Sequence, residues 1–260
     1  MTHVTGFKAM FRALWRPKFH DMNAILGLYL LVMVISLVLQ GFHDGLNGMS
    51  LANAAVGSGS GFGLLVFVWL AWQMEKDHTS ATYRQMPATN TSFYLAELTA
   101  TAVGALYFLV VRSAIMLVSY LGFHGGNVHQ LLAELFRGAH SDYSPLQLGG
   151  IATYIVVLFF LVGVLAWMLI STIHFVVTTI SAFLPNVAQW LIKLVLAILL
   201  IVLIIRVMVW LFELQHTLFN GLTEQLVPIM AYSFVAVVLA AIVLGTLNVY
   251  LLKHWVEAKY

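Results

Sequence analysis

The sequence predicts an all-α polytopic membrane protein with six transmembrane helices, an amino-terminal interfacial helix, and short outer re-entrant helices before the last span. Three observations lead there. The 260 residues are 62% hydrophobic and only 8% charged, where soluble domains carry roughly 25% charged residues. Mean hydropathy is +0.95. Apolar runs long enough to cross roughly 30 Å of hydrocarbon at 1.5 Å per residue recur along the chain. The charges gather between those runs, with Lys and Arg concentrated on one side.

At the amino end, Lys8, Arg12, Arg16 and Lys18 alternate with Phe7, Met10, Phe11, Leu14, Trp15 and Phe19. This pattern predicts an amphipathic helix over residues 1–20, lying among headgroups and broken near Pro17. It lacks the small-residue cleavage site of a signal peptide.

The spans are expected from about Asn23 to Gln40, Ala54 to Met74 and Leu98 to Leu121, then from near Gly150, near Trp190, and Val227 to Leu252. No Asp, Glu, Lys or Arg lies between Asp142 and Lys193. The fourth apolar run, Gly150 to Phe183, is therefore roughly 50 Å if helical, longer than a bilayer. Two readings fit it. A helix leaves the membrane near His174 and stops at Leu184-Pro185-Asn186, or a tilted span is followed by an interfacial segment.

Orientation follows from the cations. With the amino end inside, the inner side holds Lys8, Arg12, Arg16, Lys18, Lys76, Arg84, Lys193, Lys253 and Lys259, and the outer loops hold Arg137. Both termini are expected to be cytoplasmic, in a cell-membrane protein. Trp15, Trp69, Trp72, Trp190, Trp210 and Trp255 stand near span ends as interfacial anchors. Outside, residues 212–226 alternate apolar and polar residues about a turn at Asn220-Gly221, which suits short helices dipping into the outer leaflet. The chain reads as a single membrane domain, without repeats.

The most informative stretch is the charged island from Glu75 to Pro87, which with the polar run to Glu97 is expected to form a cytoplasmic loop. Glu75, Lys76, Asp77, His78, Tyr83, Arg84, Met86 and Pro87, followed by Phe93-Tyr94-Leu95-Ala96 into the third span, resemble the permease subunit of type-2 ABC transporters. That family typically shows an acidic residue, then a basic residue before a hydrophobic-Pro pair, then an aromatic entry to the third span. The six-span layout, the interfacial helix and the outer helices extend the resemblance along nearly the whole chain. Glu97 departs from it, since a Lys is common there. The resemblance implies ATPase coupling by residues 75–97, with partner ABC ATPase subunits that carry ATP and Mg. It also implies a second permease copy or a homologous permease. The bland reading of the island is a solvated connection that obeys the positive-inside rule.

Other residues invite function less specifically. Gly57, Gly59, Gly61 and Gly63 make two overlapping small-xxx-small patterns, suited to a dimer interface, a substrate path or ordinary helix packing. Arg112 and Arg206 fall inside spans, where a cation must face protein, a water-filled cavity or the headgroups. Glu213, seven residues beyond Arg206, is a candidate partner. Together these three could line a path for an anionic or amphipathic substrate, and snorkelling is the alternative.

Several chemistries are disfavoured. No Gly-rich phosphate loop ending in Lys-Ser/Thr occurs, so the ATPase must be another chain. Cysteine is absent, which removes disulfides and thiolate metal sites. The ten His are scattered, and neither a metal ligand set nor a catalytic constellation is predicted. A net charge of +2 does not suggest nucleic acid. The leading expectation is thus a permease exporting a hydrophobic or amphipathic substrate, such as a peptide, lipid or drug. The alternatives are an intramembrane enzyme such as a protease, or a non-catalytic immunity or sensor membrane protein.

Overall fold

The computed structural model describes residues 6–44, 57, 61–84, 86–123, 145–181, 194–195, 198, 202, 206 and 226–256. Every element among them is helical: α1 (Phe7–Asp44), α2 (Phe62–Thr79), α3 (Ala81–Arg84), α4 (Asn90–Phe123), α5 (Pro145–Ser181) and α6 (Leu226–Leu251), which closes in a π-helical turn, Leu252–Val256. Four of the described helices are long and apolar enough to cross a membrane: Phe7–Phe42, Asn90–Ser119, Gly149–Ile180 and Ala231–His254. The described residues therefore form an all-helical structure, and the chain is of multi-pass membrane type.

The six expected spans are met only in part. α2 covers the second half of the expected second span, but its 18 residues include Glu75, Lys76 and Asp77. Those charges exclude it from the apolar set. Of the expected fifth span, Leu194, Val195, Ile198, Val202 and Arg206 are described, all helical and exposed. The outer helices over 212–226 lie outside the described residues, apart from Leu226, which opens α6.

Two boundaries need correction. Pro17 does not break the amino-terminal helix; α1 runs through it without interruption. Proline removes one backbone donor, but Leu14, Lys18 and Met22, on either side of it, are all fully buried. Their packing and the ion pairs of Lys18 hold both flanks in line. The island expected as a loop is also largely helix. Glu75 to Thr79 are the last turns of α2, and Asn90 to Glu97 open α4. The Ser80 N–H donates to the Asp77 carbonyl at 3.2 Å, and Thr79 Oγ1 donates back to the carbonyls of Glu75 and Lys76, ending α2 without glycine. Thr89 caps α4 by accepting the Ser92 N–H at 3.2 Å, as an N-cap hydroxyl does. α5 passes His174 without a break, which agrees with one continuous helix there.

The chain divides into two compact units, residues 1–152 and 153–260. In the first, α1, α2 and α4 pack together, and their pairings fix their directions. Along α1, Lys18 meets Glu97 of α4, Asn23 meets Tyr107, and Tyr29 lies beside Arg112. These numbers rise together, so α1 and α4 run the same way. Against α2, Lys18 meets Asp77, Asp21 meets Gln73 and Trp69, and Tyr29 meets Phe62. These run in opposite senses, so α2 is antiparallel to both. The three helices meet at Gly104, where an added Cβ would stand 3.5 Å from Leu70, 3.8 Å from Trp15 and 3.9 Å from Met22.

In the second unit, α5 and α6 meet through polar groups held in apolar surroundings. The Asn248 amide donates to the Met168 carbonyl at 2.9 Å, and its Oδ1 lies 2.8 Å from Thr172 Oγ1. Asn248 is fully buried, so these bonds offset the cost of removing an amide from water. One turn earlier, Gly245 leaves room for the Met168 side chain, whose terminal carbon would lie 3.2 Å from an added Cβ.

Candidate functional site

Three helices converge on one ammonium. Lys18 of α1 places its Nζ 2.6 Å from Glu97 Oε1 of α4 and 3.1 Å from Asp77 Oδ2 of α2. Lys18 and Glu97 are fully buried and Asp77 is 15% exposed. Burying such groups costs several kcal/mol each unless they are paired, so the contacts among these three side chains hold the helices in register. With all three ionised the cluster carries one surplus negative charge, and Glu97 Oε2 is buried without a hydrogen-bond partner among the described residues.

The rest of the charged island surrounds this corner. His78 is fully buried, stacked on Tyr94 at 5.8 Å with its edge toward Phe93 at 5.7 Å. Its Nδ1 lies 4.0 Å from Glu75 Oε1. Tyr83 stacks on Phe93 at 6.4 Å. Burial first, then the negative charges of Asp77 and Glu97, push the Tyr83 phenol up from its ordinary pKa, so the hydroxyl keeps its proton at neutral pH. Lys76 points away from the corner and sits over the Trp72 ring at 5.3 Å. Pro87 is exposed and Met86 half-buried. Arg84 ends α3, and its side chain lies outside the described set.

Of the residues singled out in the sequence, the structure thus brings Glu75, Asp77, His78 and Tyr83 into one packed corner and leaves Lys76 and Pro87 at its surface. A cleft of about 480 Å³ opens beside it, between the Pro17–Asp21 face of α1, the last turns of α2, and Ser80 to Tyr83.

A second cluster lies further along the same helices. Arg112 is half-buried beside the fully buried Tyr29, and its Nη1 would be 3.6 Å from a Cβ at Gly63. Arg112 stands fifteen residues from Glu97 on α4, roughly 22 Å along the axis. Gly63 therefore faces an arginine in its own unit, and Gly61 precedes the first residue of α2. Gly57 is helical and exposed, as is Arg206. Gly59 and Glu213 lie outside the described residues. Among the described residues no group of three or more His, Asp or Glu side chains gathers as a metal ligand set.

Sequence reasoning missed the partners that organise the corner. Lys18 counted only as one cation of an interfacial helix, and Glu97 only as a departure from a family pattern. Asp21 and Gln73 carried no signal of their own. The available clue was charge balance, since a lone Lys and a lone Glu beside apolar runs need each other once both are buried.

Comparison with protein-family models, with curated proteins and with solved structures finds no match.

Proposed function

We propose that this chain is the membrane-spanning permease subunit of an ATP-driven exporter of the type-2 ABC kind. It moves a hydrophobic or amphipathic substrate, and separate ATPase subunits bind ATP and Mg. A second permease copy or a homologous permease completes the pathway. In this reading the chain crosses the cell membrane six times with both termini in the cytoplasm. The fifth crossing starts near Trp190, and short outer helices precede the last. One observation favours that extra crossing. Met168 meets both Gly245 and Asn248, and Thr172 meets Asn248. Those pairings rise together, as in two helices running the same way, which supports a further crossing between them.

The corner around Lys18 carries the functional reading. A subunit that receives a push from a soluble ATPase needs a rigid contact at the helix ends. Lys18, Asp77 and Glu97 tie the base of α1, the end of α2 and the start of α4 into one block. A displacement applied at α3 or at Lys76 then moves three helices together and is not absorbed by a loose loop. The aromatic contacts of His78 and Tyr83 with Phe93 and Tyr94 stiffen the same block.

The test is the double substitution Glu75→Ala/Arg84→Ala, assayed for transport and for ATP hydrolysis by the assembled complex. Glu75 is 15% exposed and its partner His78 is 4.0 Å away. Both side chains are mostly buried, so insertion and the unfolding midpoint of the variant are measured beside transport. Transport and substrate-stimulated hydrolysis should both fall. Wild-type transport together with wild-type affinity for the ATPase would reduce the segment to a connector.

A further inference from the structure

We infer that the cleft beside the corner is a binding site for a lipid with a primary-ammonium, zwitterionic headgroup of the phosphatidylethanolamine class. The inference rests on the chain being a membrane protein and not on the permease reading.

The acceptor end of the cleft is built by Asp21 and Gln73. Asp21 Oδ2 accepts from Trp69 Nε1 at 3.1 Å and from Gln73 Nε2. A carboxylate only accepts, so it fixes the Gln73 amide with its NH2 toward Asp21. The Gln73 carbonyl oxygen is then the free end. It is buried and has no hydrogen-bond partner among the described residues, on a residue that lines the cleft. Gln73 itself is only 9% exposed, so this acceptor is costly to leave unfilled. A ligand here must donate hydrogen bonds, and an acid beside that acceptor favours a positively charged donor.

The remaining walls match the rest of such a lipid. Trp69 and Trp72 pack in a tilted pair at 5.2 Å and are both exposed, offering ring faces that attract a cation. Lys76, held over Trp72, supplies a positive charge for a phosphate, and the Ser80 and Thr82 side chains lie at the same rim. Below them, Leu65, Val68 and Trp72 form an exposed stripe on α2. Their spacing of three and four residues keeps them on one face over roughly 10 Å, which suits the upper part of an acyl chain. Acid and aromatic pair thus suit an ammonium, Lys76 a phosphate and the apolar stripe an acyl chain. A choline headgroup meets the aromatic pair but has no N–H for Gln73, so the site should prefer ethanolamine.

The test uses the purified full chain in detergent, titrated with phosphatidylethanolamine or phosphatidylcholine carrying brominated acyl chains, with quenching of tryptophan fluorescence as the readout. The site's share is the quenching lost in Trp69→Phe/Trp72→Phe. Phosphatidylethanolamine should bind roughly tenfold more tightly than phosphatidylcholine, the size of one charge-assisted hydrogen bond. Gln73→Leu should abolish that preference. Lys76→Ala, at an exposed position where folding is not at stake, should weaken phosphatidylethanolamine binding several-fold. Soluble glycerophosphoethanolamine should fail to compete, because it lacks the chain that lies on the stripe. Equal binding of the two lipids would overturn the proposal. So would wild-type affinity in Lys76→Ala, or full competition by the soluble headgroup, which would make the cleft a site for a water-soluble ligand.

Discussion

Lys18→Met should destabilise the protein by about 3–5 kcal/mol, the usual cost of removing one partner from a buried ion pair. Methionine fills nearly the same volume, so packing loss is a minor part. What remains is a fully buried Glu97 and a mostly buried Asp77 with no cation between them. The loss should appear as a lower midpoint in thermal unfolding in detergent, followed by tryptophan fluorescence. Adding Glu97→Leu removes the more deeply buried of the two stranded carboxylates, so the double variant should regain part of the lost stability. A non-additive cycle of that kind is the signature of a direct contact. Additive losses, or a Lys18→Met protein as stable as wild type, would mean that the corner does not hold the helices together.

Gly104 should show opposite signs for two substitutions. A Cβ at this position meets Leu70, Trp15 and Met22 at 3.5–3.9 Å, ordinary contact distances. Gly104→Ala therefore fits, and alanine is the better helix former by about 1 kcal/mol. Gly104→Leu drives three further carbons into the point where α1, α2 and α4 meet, and overpacking of this kind costs about 1–3 kcal/mol. Unfolding midpoints should rank alanine at or above wild type and leucine well below it. Equal stability of the leucine variant would show that the three helices are not packed as described.

Much of the architecture was legible in the sequence. Length and apolarity located α1, α4, α5 and α6, because a helix surrounded by lipid must be apolar over about 20 residues. The expected last span, Val227 to Leu252, agrees with α6 within a residue at each end. The second crossing was harder. Its charged carboxyl end looked like a loop, since hydropathy records charge and not whether the charge is paired. Asp77 stays helical because Lys18 reaches it from a segment 59 positions away. For the same reason Pro17 read as a break although tertiary packing carries the helix through it. His78 and Glu97 looked like surface residues by type, and both are buried. Residues 75–97 fold largely as the end of α2 and the start of α4, with the charges turned partly inward.

The central claim is that the corner of Lys18, Asp77 and Glu97 lies on the cytoplasmic side, where a soluble ATPase can reach it. Since the chain has no cysteine, single cysteines can report sidedness without removing native ones. Ser80→Cys, His129→Cys, Asn186→Cys, Glu224→Cys and Lys259→Cys would each be exposed to a membrane-impermeant maleimide on intact cells and again after permeabilisation. The account predicts labelling from outside at positions 129 and 224 alone, with positions 80, 186 and 259 reacting only after permeabilisation. Labelling of Ser80→Cys on intact cells would place the corner outside and contradict the account.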